Sequence, residues 1–271
     1  FTPALLRWRS LVFHAQHHLG VVLAAAVAAT VLIGALTVGD SVRETLRRQA
    51  LDRIGKAEFL LDGGDRFFTA RNGGPAGAGL SNTLSTFALR LPGVVARQDG
   101  SARANQVRVY GVMQAFWALS PRTCSFRMDD DSETVLLNAA LARQLSVQVG
   151  DELVVRIHKP SALSQDAVIT PRDGASVALR VRVGRILSAE EWGDFSPDVS
   201  SLPPFNLFIN HTILAKAAGL VGRANLALVG ASAEATNSQW LSSRVDSGFR
   251  LADAELEVRP IPLPAGITNP S

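Results

Sequence analysis

The chain has 271 residues, 47% of them hydrophobic and 19% charged, with a mean hydropathy of +0.16. This composition excludes disorder over the whole length, because there is ample apolar material for a core, and the length allows one large domain or two small ones. The net charge of +3 comes from 27 bases spread along the chain rather than gathered on one face, which argues against nucleic-acid binding, and the single cysteine, Cys124, excludes an intrachain disulfide and a cysteine-rich metal site.

The apolar excess is concentrated near the start. From Leu19 to Gly39 the chain reads LGVVLAAAVAATVLIGALTVG, without a charged residue. As a helix, residues 20–39 would be about 30 Å long, the thickness of a bilayer's hydrocarbon core. Residues 20–39 are therefore read as a single transmembrane helix. A buried core helix rarely needs so long an uncharged run. A cleaved signal peptide would suit Arg7 and Arg9, but no A-x-A site closes the run. Ala24 and Ala28, and Thr30 and Gly34, recur at four-residue spacing, which would let other helices approach closely in lipid. Simple Ala-rich composition accounts for the same pattern. Arg7 and Arg9 precede the span, whereas Arg43, Arg47, Arg48, Arg53 and Lys56 follow it, so the positive-inside rule by itself places the C-terminal side in the cytoplasm.

Residues 40–55 read as an amphipathic stalk helix. Ser41-Val42-Arg43-Glu44 fits a capping box, Val42, Leu46, Leu51 and Ile54 recur at helical spacing, and Glu44 can pair with Arg48. The helix either continues out of the membrane or restarts at Asp40-Ser41.

Residues 56–271 alternate strands and helices. Ala57–Asp62 reads as a strand, Gly73–Gly79 as a loop, and Leu80–Leu91 as a helix with Leu84, Phe87, Ala88 and Leu91 on one face. Val94–Arg97, Gln106–Met113, Thr134–Asn138 and Glu152–His158 read as strands, with a short helix at Ala139–Leu145. Lys159–Gly174 reads as a loop. Val177–Ile186 is a half-buried strand with Arg180, Arg182 and Arg185 on one face, a solvated face in preference to an anion site. Asn206–Asn210 and Asn225–Val229 are further strands, with a helix over Thr212–Ala218. Ser232–Phe249 reads as a helix and Ala254–Ile261 as a final strand. Without regular βαβ units the fold class is α+β: one N-terminal transmembrane helix with its stalk, then a mixed α+β domain.

The residues for common chemistries are absent. Ala50–Ala57 (ALDRIGKA) lacks the first Gly and the Ser/Thr of a P-loop, and there is no G-x-S-x-G or H-E-x-x-H. His14, His17 and His18 read as a polar membrane-edge segment rather than a metal site. Asp129, Asp130, Asp131 and Glu133 read as a solvated acidic loop, since they lack the alternation and the Gly of a calcium loop. Trp117, Trp192 and Trp240 read as core or interface groups, and Cys124 as inert. No catalytic, cofactor-binding or metal residue is assigned, and the chain is not expected to be an enzyme.

Val135–Leu153 (VLLNAALARQLSVQVGDEL) resembles the "strand, LA-x-x-L-x-V-x-x-GD, strand" signature of the extracytoplasmic core domain in MacB/FtsX-type ABC transporter permeases. Ala104–Val112, followed by Phe116-Trp117, is similar to that family's preceding strand and its G-V-x-x-x-F-W continuation. The resemblance implies a cytoplasmic segment over 1–19, the span over 20–39, the stalk over 40–55 and a MacB-like periplasmic domain over 56–271. It implies the opposite orientation to the local charge count, in the inner (plasma) membrane. It also implies a separate ABC ATPase as partner, further transmembrane helices or a second permease copy forming a dimer, and a stalk that relays nucleotide-driven motion outward. Such permeases carry more spans after the outer domain, so the chain is expected to be a truncated permease or an unusual single-span form. The other readings are a single-span anchored binding or scaffold protein without transport activity, and a secreted hydrolase, which the missing catalytic residues disfavour.

Overall fold

A computed structural model describes residues 3–70, 84–124, 126–128, 133–158, 176–198, 200 and 202–230. By internal contacts the chain divides into one unit ending at Gln49 and another beginning at Ala50.

Two helices begin the chain: α1 (Pro3–Phe13) and α2 (Ala15–Ile54). Within α2, Leu19–Ile54 is long and apolar enough to cross a membrane, and its most apolar stretch is wholly exposed. Val21, Leu23, Val27, Val31 and Leu36 are all more than half exposed, a surface that water would not tolerate and lipid would. The hydroxyls of Thr30 and Thr37 donate to the carbonyls of Ala26 and Ile33 at 2.8 Å, so neither needs water. The helix runs through Asp40 and Ser41 without a break, so Ser41–Glu44 is not a helix start and its capping-box pattern is unused. The Glu44–Arg48 pair does form, at 2.8 Å.

The second unit is built on ten strands and two short helices among the described residues. In chain order they are β1 (Ala57–Asp62), β2 (Phe68–Thr69), β3 (Ser85–Arg97), β4 (Arg103–Val112), β5 (Thr134–Asn138), α3 (Ala139–Leu145), β6 (Glu152–His158), β7 (Ser176–Leu187), β8 (Asn206–Asn210), α4 (His211–Ala218), β9 (Arg223–Ala224) and β10 (Leu226–Gly230). A 3-10 helix over Gln114–Leu119 follows β4.

Eight strands form one sheet in the order β1-β10-β3-β4-β8-β5-β7-β6, and β6 pairs back onto β3. The long β3 makes this closure possible. Its first residues pair with β10, its middle with β4, and Gly93–Arg97 with β6. Six strands therefore close into a ring, and β1 with β10 stand outside it. The β4–β8 and β5–β7 pairs are parallel and the other pairs antiparallel.

Alternation decides what fills the ring. Leu91, Val109, Leu137, Val155, Val183 and Ile209, one from each ring strand, belong to one buried cluster with Leu141 and Leu145 of α3 and Leu214 of α4. Strands around a ring can share such a cluster only through its inside. The opposite face carries Ala88, Tyr110, Val112, Leu136 and Phe208, which join a second, aromatic cluster. Asn138 caps α3, and Ser146 ends it in the left-handed conformation at φ +52. Gly150, at φ +99, turns the chain into β6, donating to Val183 O at 2.7 Å while Val183 N donates to Asp151 O at 2.9 Å.

One expected element is overturned. The helix placed at Leu80–Leu91 is instead strand β3 from Ser85. Leu84, Phe87, Ala88 and Leu91 share a helical face, but Leu89, Leu91 and Val95 also alternate, and Pro92-Gly93 cannot continue a helix. Pairing with β10 and β4 settles the matter in favour of the strand. Gly73–Gly79, Asp129–Asp131, Lys159–Gly174, Ser232–Phe249, Ala254–Ile261 and Trp240 lie outside the described residues, as do the side chains of His17 and His18.

Candidate functional site

The most elaborated point of the second unit is the end of α2. Gly55, at φ +71, ends the helix and donates to Leu51 O at 3.1 Å. The next residue, Lys56, donates its N–H to Leu119 O at 2.8 Å. A Cβ on Gly55 would lie 2.6 Å from Leu119 O and 3.0 Å from Trp192 Cε2. Trp192 donates its indole N–H to Arg53 O at 2.8 Å, filling one of the helix's orphan carbonyls. The Arg53 guanidinium donates in turn to the carbonyls of Ser200 and Leu202.

Beneath this seat lies the aromatic cluster. Trp192 stacks on Phe116 with centroids 4.5 Å apart and meets Phe195 edge-on at 5.0 Å. Phe116 and Trp117 continue the cluster to Phe208 of β8. Trp192 holds φ +64, a conformation that costs a bulky residue on the order of 1–3 kcal/mol. It persists because the stack, the indole bond and the flanking turn fix it together. Gly193 belongs to that turn, and a Cβ there would lie 2.8 Å from Leu187 O.

The residues around Trp192 are tied to the ring. Glu191 accepts from Arg185 at 2.5 Å and from Ser188 N at 3.1 Å, and the Arg185 bond is the main reason its carboxyl is held below the usual range. Asn138 Nδ2 donates to Asp194 at 2.7 Å. Asn206 Nδ2 donates to the carbonyls of Gly193 and Phe195. Arg108 donates to Ser196 Oγ at 2.7 Å and pairs with Asp198 at 2.7 Å, and Arg90 pairs with Asp62 at 2.8 Å.

Tyr110 lies in the same aromatic cluster, fully buried, and burial is the main cause that pushes its hydroxyl up to about 12. On α4, burial holds His211 below its ordinary value, while its Nε2 lies 3.0 Å from Arg223 O.

The arginine face of β7 splits in two. Arg180 and Arg182 are exposed and line an open groove of about 440 Å³ with Glu133, Glu152, Gln98 and Thr134. Arg182 lies 3.6 Å from Glu152, so the groove brings two bases and two acids together. Arg185 turns instead to Glu191 and sits 5.2 Å over the Phe126 ring. Trp117 and Trp192 are buried core groups, and Cys124 is a free thiol beside the aromatic cluster. Among the described residues no group of three or more His, Cys, Asp or Glu could hold a metal. The seat of α2 escaped the sequence reading; the one local signal for it was Gly55 just after the last apolar residue of a helix.

No protein-family model matches the chain, and no curated protein matches it. Solved structures do. One is the periplasmic region of MacB from Actinobacillus actinomycetemcomitans, at 12% identity and a TM-score of 0.38, covering 60% of this chain and 64% of that one. Another is the extracellular domain of the noncanonic ABC-type transporter YknZ from Gram-positive bacteria, at 8% identity and a TM-score of 0.41, covering 69% of this chain and 88% of that one. The chain thus spans a little under two thirds of the MacB region it matches. The family that the sequence motifs resemble is represented among these structures.

Proposed function

We propose that the chain is the membrane subunit, or a fragment of one, of an ABC-type transporter or mechanotransmission complex of the MacB/FtsX type. It spans the inner (plasma) membrane through α2, with the second unit outside the cytoplasm. A separate ABC ATPase drives α2, and further helices or a second copy of the chain pack on its apolar surface. The chain relays motion and performs no catalysis of its own.

The observation that carries this reading is the seat of α2. An anchor needs only to hold a domain at the membrane, and a pliable linker would do that. Here the last turn of an apolar helix is locked by Trp192, Leu119 and the left-handed Gly55. A lock of this kind lets the domain follow the helix. The motifs behind the family resemblance support the reading from their places in the fold: Asn138–Glu152 forms the capped α3 and its Gly150-Asp151 turn, and Phe116-Trp117 forms the floor of the seat.

The test is purification of the chain from its native membrane in mild detergent. A P-loop ATPase should co-purify, and a non-hydrolysable ATP analogue should change hydrogen exchange at Ala50–Ile54. Absence of such a partner would sink the reading. A partner whose nucleotide state leaves that exchange unchanged would favour an anchored scaffold instead.

A further inference from the structure

Two routes lead from the end of α2 into the domain. The covalent route runs through Gly55 and Lys56 into β1. Its strand pairing is indirect, because β1 pairs with β10 alone among the described strands and β10 pairs with the ring through Ser85–Ala88 at the start of β3; one side-chain pair, Asp62 with Arg90 of β3, joins β1 to the ring directly. The second route runs through Trp192. From Trp192, hydrogen bonds reach four of the six ring strands within a few residues. Glu191 reaches Arg185 of β7, Asp194 reaches Asn138 of β5, Gly193 and Phe195 reach Asn206 of β8, and Ser196 reaches Arg108 of β4.

We infer that the segment Ser188–Asp198, entered through the Trp192–Arg53 bond, is the main carrier of displacement of α2 into the ring, with four ring strands against the single Asp62–Arg90 link from β1. This rests on the mechanotransmission reading above. Trp192 and Arg53 are positioning residues in that relay. A segment that passes displacement on must be stiff, and this one is. Trp192 is held at φ +64, and Gly193 is so closely packed that a Cβ would meet the Leu187 carbonyl at 2.8 Å. The bond to Asn138 reaches the residue that caps α3, so displacement of Asp194 bears directly on a helix inside the ring cluster.

Trp192→Phe keeps an aromatic ring in the stack and removes the donor. In the full chain without nucleotide, backbone amides of Ser188–Asp198, Leu141 and Asn206 should exchange roughly fivefold faster, the scale of losing one hydrogen bond of ordinary net worth. The amides of Leu60 in β1 and Leu228 in β10 should be unchanged. Asp194→Ala, which cuts the bond to Asn138 and leaves the Trp192 stack in place, should loosen Leu141 but not Leu60 or Leu228, and it keeps the test open if Trp192→Phe loosens every amide alike. In the complex with its ATPase, nucleotide should alter exchange in α3 and β8 of the unmodified chain but not in the Trp192→Phe chain, with ATP hydrolysis retained. Equal loosening of β1 and β10 in the Asp194→Ala chain, no loosening at α3 in either variant, or a nucleotide response that survives Trp192→Phe would overturn the inference. The nucleotide-free pattern depends on wiring alone, so it can fail while the ABC reading stands, and the reverse.

Discussion

The Asn138 side chain at the end of β5 holds the backbone of Asn206 at the start of β8. Asn138 Oδ1 accepts the backbone N–H of Asn206 at 3.1 Å and also that of Leu141, capping α3, while its Nδ2 donates to Asp194 and to Pro204 O, each at 2.7 Å. One fully buried side chain thereby joins β5, β8, α3 and the segment beneath the end of α2. Asn138→Ala would remove a helix cap and strand several buried polar groups, a loss of about 2–4 kcal/mol. Asn138→Asp keeps the cap oxygen but loses the donor and faces Asp194, so it should also destabilise. Urea denaturation of each variant against the unmodified chain measures both.

Gly55→Ala should cost about 1–3 kcal/mol, because the methyl meets the Leu119 carbonyl at 2.6 Å in a conformation that already disfavours a side chain. Gly219 makes the control. It also sits in the left-handed region, at φ +76, but a Cβ there meets nothing within 4 Å. Gly219→Ala should cost only about 1 kcal/mol. Thermal unfolding of the two variants side by side separates steric from conformational cost.

His211 makes stability depend on pH. Burial lowers its folded value below the ordinary 6.5. The unfolded chain therefore takes up a proton first as pH falls, so stability drops from about pH 7 downward and stops changing once the folded form is protonated too. Glu191 acts in a lower window. Its folded value is depressed below 4.5, so its contribution is present above that pH and is lost as pH falls through the folded value. Denaturation midpoints between pH 7.5 and 5.5 should fall, and His211→Gln should flatten that slope without altering the acid limb.

Tyr110 is the only tyrosine, so its ionisation can be followed directly by ultraviolet absorbance. No phenolate should appear in the folded chain near pH 10, and the transition should come at about 12 or together with unfolding. The unfolded chain loses this proton near 10, so stability should fall as pH rises above that value. Burial, not a strong partner, dominates the surroundings of this hydroxyl, so Tyr110→Phe should change stability at neutral pH by no more than about 1 kcal/mol.

Elements whose signal is local were legible in the chain. β1, β5, α3, β6 and β8 begin and end where period, cap and turn residues place them, because Asn138, Gly150 and the alternation of Leu153, Val155 and Ile157 act on their near neighbours. The apolar run of α2 was legible for the same reason, since twenty-one uncharged residues need no tertiary context to be read. Leu80–Leu91 was not. Its apolar residues suit either period, and only strands far along the chain choose between them. The arginines of β7 looked alike in sequence, yet Arg180 and Arg182 line a groove while Arg185 braces Glu191, a difference set by the turn that follows β7.

The sequence by itself determined a membrane-compatible helix, an α+β domain after it, and the lack of recognisable catalytic motifs. Each follows from residue type and short-range spacing. The tertiary structure decided that six strands close into a ring and that the ring is wired to the end of α2. Trp192 and Arg53 lie 139 residues apart, and β3 meets β6 across 56 to 64 residues of chain. Such pairings depend on which distant surfaces bury each other best, and no local pattern in either segment records its partner.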